Sequence, residues 1–139
     1  MNLALALSLL VVDLSEQSLT ALIDGVPIVQ FAASTGTSNR TPIGEFRVRE
    51  KSATTMGVSP EGQRQPWIRM DWMIRFVLSP AGKSIGIHSV PYAPTPCREE
   101  MPTPLGVAPS TRGCVRLANA DAAWIYQHVD YATIVQVRR

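Results

Sequence analysis

The stretch Thr111-Arg112-Gly113-Cys114-Val115-Arg116-Leu117 sets a thiol directly after a glycine in a polar turn. Upstream, Ile85-Gly86-Ile87-His88-Ser89 carries an imidazole. Cysteine attacks only as the thiolate, so it needs a base or an electropositive setting. Glycine lets the backbone approach a substrate and aim amide groups at a developing oxyanion. Together the two segments are the minimum equipment for nucleophilic cysteine chemistry.

This interpretation makes Cys114 the nucleophile and His88 its base. The alternatives are an inert buried cysteine and a strand-end histidine whose hydrogen bonds are structural. The polar turn and the following Arg116 argue against burial of Cys114 in an apolar core, where the pKa of a thiol rises. Pairing with the imidazolium of His88 is expected to lower the pKa of the Cys114 thiol below its free value of roughly 8.5.

The composition limits the possible function classes. A chain of 139 residues, 45% of them hydrophobic, is expected to form one globular domain, residues 1–139. The formal net charge is +2 and no Lys/Arg run occurs, so nothing indicates nucleic-acid binding. No apolar stretch reaches about 18 residues, so no membrane span is expected.

The apolar segment from Met1 to Val12 allows two interpretations. A secretory signal peptide has a positive first region and a small-residue cleavage site, and neither is clear here. Cleavage there would also remove the first predicted strand. We therefore interpret this segment as the start of the domain.

The two cysteines, Cys97 and Cys114, are the candidates for redox or metal chemistry. A disulfide between them would lock the nucleophile, so Cys97 is interpreted as an incidental thiol, with a redox partner of Cys114 as the alternative. Cys97, Cys114 and His88 lack close ligand spacing such as C-x-x-C, and structural zinc uses four ligands. No metal site is predicted.

Short β-rich segments alternate with turn signals, which indicates a mainly β sandwich or barrel. Predicted strands are Leu9 to Asp13, Leu19 to Asp24, Pro27 to Ala33, Glu45 to Arg49, Trp67 to Leu78 (one strand or two), Ile85 to His88 and Ile134 to Val137. Predicted loops are Ser34 to Pro42, Lys51 to Pro66 and the proline-rich Tyr92 to Pro109. One helix is predicted, with Asn119 as its N-cap and Ala122, Ile125 and Val129 facing the core.

Three motifs resemble those of the L,D-transpeptidase catalytic domain of bacterial cell-wall enzymes, the YkuD-type family. Thr111-x-Gly113-Cys114-Val115-Arg116 matches the family's cysteine signature and His88-Ser89 its histidine signature. Ser34-Thr35-Gly36 followed by Thr41-Pro42-Ile43-Gly44-Glu45-Phe46 matches its early segment. The first hairpin and the closing helix and strand are also similar, so the resemblance covers nearly the whole chain.

Two features depart from the family pattern. Arg112 stands where many members have histidine before Gly-Cys, a position that tolerates change. Cys114 follows His88 by 26 positions, more than the family's usual loop. The additional residues fall in 92–109, which we expect to form one wall of the cleft, with Tyr92 at its base.

The resemblance implies roles for the residues around Cys114 and His88. The carbonyl of Ser89 is expected to orient the imidazole of His88, while its side chain is interpreted as incidental. The amide groups of Gly113 and Cys114 are the expected oxyanion donors.

Three further residues are expected to contact substrate. Arg116 is interpreted either as a ligand for a substrate carboxylate or as a structural clamp for the loop. Arg112 is expected to be exposed and to lower the pKa of the thiol by proximity. Tyr92 is expected to line the cleft, whereas core packing is the expected role of Trp67 and Trp72.

By resemblance, the fold is a β-sandwich of mixed sheets with one late α-helix, and no cofactor is needed. The implied reaction is acyl transfer on peptidoglycan stem peptides: Cys114 attacks the carbonyl between the third residue, a diamino acid, and the terminal D-alanine of a tetrapeptide. D-Alanine leaves, and the amine of a neighbouring stem takes the acyl group to form a 3→3 cross-link.

Two alternatives are an L,D-carboxypeptidase, with water as acceptor, and a non-catalytic wall-binding module whose long loop blocks the thiol. The resemblance also implies acylation by carbapenems and a location in the periplasm or cell envelope.

Overall fold

Nine strands and one α-helix form the described part of the chain, and a single sheet order connects all nine strands. The computed structural model describes residues 6–57, 68–93 and 98–139. The sheet order is β4-β9-β1-β2-β3-β8-β7-β6-β5. The strands are β1 (Leu9–Asp13), β2 (Ser18–Ile23), β3 (Val26–Ser34), β4 (Gly44–Arg47), β5 (Glu50–Gly57), β6 (Ile68–Leu78), β7 (Ser84–Ser89), β8 (Val115–Leu117) and β9 (Ile134–Arg138). The helix α1 is Asn119–His128. The mainly β fold with one late helix is confirmed.

Strands β1, β2 and β3 form an antiparallel meander, as the turn signals predicted. Gln17 and Asp24, at its two turns, have φ values of 50° and 48°. Strand β9 pairs parallel to β1 and antiparallel to β4, so this half of the sheet is mixed.

Strands β5, β6 and β7 form a second antiparallel meander. Strand β8 pairs parallel to β7, with Ile87 opposite Val115 and His88 opposite Arg116. On its other side β8 pairs with the last two residues of β3. The three residues of β8 were too few to predict as a strand, yet they join the two halves of the sheet.

The two halves pack against each other around one hydrophobic core. Core residues come from both meanders and from β9 and α1. Phe46 on β4 lies against Phe76 on β6, with ring centroids 5.6 Å apart. This face-to-face packing gives the sandwich that the sequence predicted.

Two local expectations were wrong. Lys51 to Pro66 was expected to be a loop, but 50–57 form β5, the last strand in the described sheet order, where partly exposed Ser and Thr side chains are tolerated. The rest of that segment, with Trp67, lies outside the described residues. Asn119 does not cap α1: the cap position is Ala118, with no side-chain bond, and Asn119 Oδ1 instead accepts a hydrogen bond from Trp72 Nε1 at 3.1 Å.

Helix α1 packs on the core as predicted. Ala122, Ile125 and Val129 are all buried, Ile125 completely. At the other end of the chain, Leu7 is buried and donates its N–H to the carbonyl of His128. Met1–Leu5 lie outside the described residues.

Replacing Ile125 with alanine is expected to lower the free energy of unfolding by about 2–5 kcal/mol, because it opens a cavity under α1. Ile43→Ala is the matched control, since Ile43 is 54% exposed, and should change that free energy by about 0.5 kcal/mol or less. Chemical denaturation of both variants measures the difference. Equal losses would contradict the placement of α1 on the core.

Candidate active site

Parallel pairing of β7 and β8 brings the two reactive residues to one cavity. Cys114 immediately precedes β8, and its Sγ accepts a hydrogen bond from the N–H of Gly86 on β7 at 3.5 Å. His88, two residues along β7, lies opposite Arg116. Cys114, His88 and Arg116 all line a cavity of about 340 Å³.

His88 is buried and held by the carbonyl of the next residue. Its Nδ1 lies 2.6 Å from the Ser89 carbonyl oxygen. A carbonyl oxygen only accepts hydrogen bonds, so Nδ1 carries the proton and Nε2 keeps its lone pair. The ring is therefore in the tautomer that a general base requires.

The imidazole of His88 is neutral at physiological pH. Burial is the main reason that the pKa of His88 falls to about 4; the Ser89 bond opposes this shift, and the positive charges of Arg116 and Arg75 add to it. A neutral base is ready to receive a proton, but it supplies no positive charge to a thiolate.

Burial also disfavours the charged form of the Cys114 thiol, so the shifts of the two residues do not support the expected ion pair. Burial raises the pKa of Cys114, while the Gly86 N–H and the charges of Arg116 and Arg75 oppose this rise. Among the described residues, no hydrogen bond joins Cys114 Sγ to His88. Arg112, expected to lower the thiol pKa, is exposed and is not among the groups that shift it.

The side chain of Ser89 has a structural role that the sequence interpretation missed. Ser89 is completely buried, and its Oγ accepts a hydrogen bond from the N–H of Asp71 on β6 at 2.8 Å. The same hydroxyl donates to the Val90 carbonyl at 3.3 Å. These contacts fix Ser89, whose carbonyl orients His88, to the neighbouring strand β6.

Thr111 shapes the turn that carries the nucleophile. Its hydroxyl donates to the Cys114 carbonyl at 2.6 Å and accepts the Gly113 N–H at 3.0 Å. The Gly113 amide is therefore occupied, so its expected role as an oxyanion donor is not available in this conformation. Gly113 is needed for its backbone, since φ is +149° and a Cβ there would lie 3.1 Å from Ile85 Cδ1.

The early motif, 34–41, is hydrogen-bonded to this turn. Thr41 Oγ1 accepts the Gly36 N–H at 2.8 Å and donates to the Gly113 carbonyl at 2.7 Å. A Cβ on Gly36 would lie 2.9 Å from Gly113 Cα. Two motifs more than 70 residues apart thus form one hydrogen-bonded unit under Cys114.

Tyr92 does not line the cavity, which corrects its expected role, and Pro91 lies there instead. Tyr92 is buried, its hydroxyl donates to Asp71 Oδ1 at 3.0 Å, and burial raises its pKa. Arg98 stacks over the Tyr92 ring at 3.8 Å and pairs with Asp71 Oδ2 at 3.0 Å. Burial and these bonds keep Tyr92 from reaching a substrate.

The described residues 98–109 are not among those that line this cavity, and the expected cleft wall of 92–109 stays a prediction. They pack against β3 instead: the Gly106 N–H donates to the Ala33 carbonyl, and Ser34 Oγ donates to the Ala108 carbonyl. Residues 94–97, with Cys97, lie outside the described part of the chain.

Arg116 is buried and lines the cavity, and its Nη1 donates to Thr103 Oγ1 at 3.3 Å. Of its two proposed roles, this contact favours the loop clamp.

Two kinds of feature are absent from the described residues. No cluster of three or more His, Cys, Asp or Glu side chains with metal-binding geometry occurs there. Within the same residues, no helix combines the length and hydropathy of a membrane-spanning segment.

Sequence reasoning missed the roles of three residues that hold the site together: Asp71, Thr41 and Gly86. Gly86 gave a signal as a glycine within a strand, which indicates close backbone approach. A Cβ there would lie 2.5 Å from the Ile74 carbonyl oxygen. Thr41 belongs to the early motif, but its bond to Gly113 and the contacts of Asp71 join residues distant in sequence, which a single sequence does not predict.

Replacing Thr41 with valine keeps the shape of the side chain but leaves the Gly36 N–H and the Gly113 carbonyl unpaired. We expect a loss of about 1–3 kcal/mol of unfolding free energy for each buried group left unsatisfied. Thr20→Val is the matched control, because its Oγ1 accepts only an exposed bond from Gln30. Urea denaturation compares the two variants, and equal stability would show that the contact under Cys114 is unimportant.

Burial of neutral His88 makes the domain sensitive to acid. In the unfolded protein the imidazole takes up a proton below pH 6.5, whereas in the folded protein it stays neutral down to about pH 4. The contribution of His88 to the free energy of unfolding is therefore complete above pH 6.5 and falls as the pH drops from 6.5 to 4. The loss from this residue is about 3 kcal/mol. His88→Asn, which keeps a donor near the position of Nδ1, should lose about 3 kcal/mol less unfolding free energy than the unmodified protein between pH 6.5 and 4, as measured by denaturation. Parallel curves for both proteins would refute the assignment.

Comparisons with known proteins agree with this geometry. A family model described as the L,D-transpeptidase catalytic domain (YkuD) matches residues 8–137. No curated protein matches the sequence.

Solved structures show the same fold. The LD transpeptidase LdtMt1 in complex with imipenem is 23% identical, with a TM-score of 0.70 over 94% of this chain and 58% of that one. L,D-transpeptidase 3 from Mycobacterium tuberculosis, with a faropenem-derived adduct, is 23% identical, with a TM-score of 0.71 over 94% and 60%. An L,D-transpeptidase from Mycobacterium tuberculosis H37Rv is 26% identical, with a TM-score of 0.68 over 94% and 57%. This chain thus spans less than two thirds of the length of each. The match of the family model over nearly all of the sequence shows that the chain belongs to the L,D-transpeptidase catalytic domain family.

Proposed function

We propose that this domain is a cysteine-dependent acyltransferase of peptidoglycan stem peptides, an L,D-transpeptidase. The observation that carries the proposal is the pair Cys114 and His88 on one cavity, with Nδ1 of His88 bonded to the Ser89 carbonyl. This arrangement supplies a nucleophile, a base in the correct tautomer and an orienting group. Membership of the family supports this substrate class.

The first half-reaction starts from a neutral pair. As a stem peptide binds, the Cys114 thiol passes its proton to Nε2 of His88, and Sγ attacks the carbonyl between the diamino acid and the terminal D-alanine. The bond from Nδ1 to the Ser89 carbonyl stabilises the imidazolium that forms. Because burial disfavours both charged forms at rest, proton transfer is expected to accompany attack rather than precede it.

The tetrahedral intermediate needs donors for its oxyanion. Among the described residues, no hydrogen bond occupies the Cys114 N–H, whereas the Gly113 N–H is bonded to Thr111. We therefore assign the Cys114 amide as the primary oxyanion donor.

The second half-reaction determines the product. Collapse of the intermediate breaks the amide bond, and His88 protonates the departing amine of D-alanine, which leaves a thioester on Cys114. The side-chain amine of a neighbouring stem then attacks the thioester, gives its proton to His88 and releases the thiol. This forms a 3→3 cross-link. Water in place of the amine gives hydrolysis, the carboxypeptidase alternative.

The inactive wall-binding alternative requires a loop that blocks the thiol. The described residues 98–109 do not line the cavity of Cys114, and this supports catalysis over a blocked site.

A peptidoglycan substrate also implies action in the cell envelope. The complexes of relatives with imipenem and with a faropenem-derived adduct support acylation of Cys114 by the same compounds.

Incubation with imipenem is expected to add one covalent adduct to the intact protein, located on Cys114 by peptide mass spectrometry. Cys114→Ala should abolish the adduct and peptide turnover, since losing the nucleophile costs on the order of 10⁶ in rate in a comparable triad enzyme. Cys97→Ser is the matched control and should retain both.

Product analysis of a tetrapeptide stem, with and without an acceptor amine, separates cross-linking from hydrolysis. Released D-alanine with a new amide indicates transfer, and a free tripeptide indicates hydrolysis. An adduct that persists in Cys114→Ala would refute the assignment of the nucleophile.

A further inference from the structure

The described residues that line the cavity at Cys114 include basic side chains and no acidic one. Four basic residues line it, and among the described lining residues none is acidic: the four are Arg75, Lys83, Arg112 and Arg116. A concave surface lined by one sign of charge concentrates ligands of the opposite sign. The cavity therefore favours an anionic ligand.

Strand register divides this cavity into two halves on either side of the nucleophile. Leu78 pairs with Ser84 next to the β6–β7 turn, whereas Ile74 pairs with Ile87 further along. Cys114 Sγ contacts Gly86, between those two points. The lining residues Ser79, Lys83 and Ser84 thus lie on the turn side of Cys114. We call this side the turn half.

The opposite half is apolar. Beyond His88, the described lining consists of Ile68, Met70 and Pro91, together with Thr55, which pairs with Met70 across β5 and β6. Arg112 lines the same cavity next to Gly113. Gly113 lies against Ile85 near the start of β7, where a Cβ on Gly113 would be 3.1 Å from Ile85 Cδ1, so Arg112 is on the turn side of Cys114. The nucleophile thus lies between a basic region and an apolar one.

The cations that line the cavity differ in whether a carboxylate already pairs with them. Arg75 is paired with Glu50 at 3.5 Å and bonded to Ser52 at 3.0 Å. Lys83 and Arg112 are exposed, and within the described part of the chain no carboxylate pairs with either side chain. No described carboxylate offsets the charge of either residue, so both can pair with a bound anion.

We propose that Lys83 and Arg112 form a carboxylate-binding subsite on the turn half of the cavity, which selects substrates with a free carboxylate close to the scissile bond. The preference for anions follows from the cavity alone. That the carboxylate belongs to a stem peptide rests on the proposed function. Such a peptide offers two sources: the terminal carboxylate of D-alanine, and the side-chain carboxylates of the stem.

Paired alkylating reagents test the subsite without any peptide. Iodoacetate and iodoacetamide attack the same thiolate, so the ratio of their rates cancels the thiol pKa and reports the local potential. Lys83→Gln/Arg112→Gln should lower the iodoacetate-to-iodoacetamide ratio by about threefold for each cation removed, and the effect should shrink at high salt. Arg139→Gln removes one charge outside the cavity and should leave the ratio unchanged. An unchanged ratio in the double variant would overturn the subsite.

Peptide binding to Cys114→Ala, measured by calorimetry, identifies the source of the carboxylate. The peptides are a tetrapeptide stem, its C-terminal carboxamide and a stem with amidated side-chain carboxylates. The subsite predicts that one amidated peptide binds about tenfold more weakly, and that Lys83→Gln/Arg112→Gln abolishes this difference. Equal binding of all three would overturn the recognition of a stem carboxylate. A normal imipenem adduct on the protein that retains Cys114 would show that the catalytic proposal survives.

Discussion

Parallel pairing of β7 with β8 is the contact on which the site depends. It aligns Ile87 with Val115 and His88 with Arg116, so the base and the nucleophile reach the same cavity from segments that are distant in sequence. The nucleophile stands just before a strand of three residues, so its position follows the register of that short strand. Neighbouring contacts reinforce the register: β3 pairs with β8 from the other side, and Thr41 bonds to Gly113.

Burial decides the charge state of the reactive pair. A thiolate–imidazolium pair is stable where solvent or fixed dipoles support both charges. Here burial raises the pKa of Cys114 and lowers that of His88, and both shifts favour the neutral forms. The shared influence of Arg116 and Arg75 helps the thiolate but opposes the imidazolium, so these arginines promote attack without promoting a resting ion pair.

Much of the fold followed from local signals. The hairpin turns near Gln17 and Asp24, the late helix and the order of the motifs could all be predicted, because they depend on neighbouring residues and on a resemblance that covers the chain. The predictions that failed depend on tertiary contacts. Whether Glu50–Gly57 pairs with β6, whether Tyr92 faces the cavity or Asp71, and whether the Gly113 amide is free are determined by partners far along the chain. The roles of Cys114 and His88 remain proposals that the geometry supports.

Asp71 fixes residues at both ends of the undescribed stretch 94–97 and also bonds to Ser89, the residue that orients His88. Its side chain holds Tyr92 and Arg98, while its backbone N–H holds Ser89. The Ala93 N–H also donates to the Glu99 carbonyl. Hydrogen bonds therefore fix the backbone on both sides of 94–97. Lengthening a loop between fixed ends costs little, about 0.6 kcal/mol for each doubling. Evolution is therefore free to vary the length of this segment at little thermodynamic cost, without moving the carbonyl that orients the base.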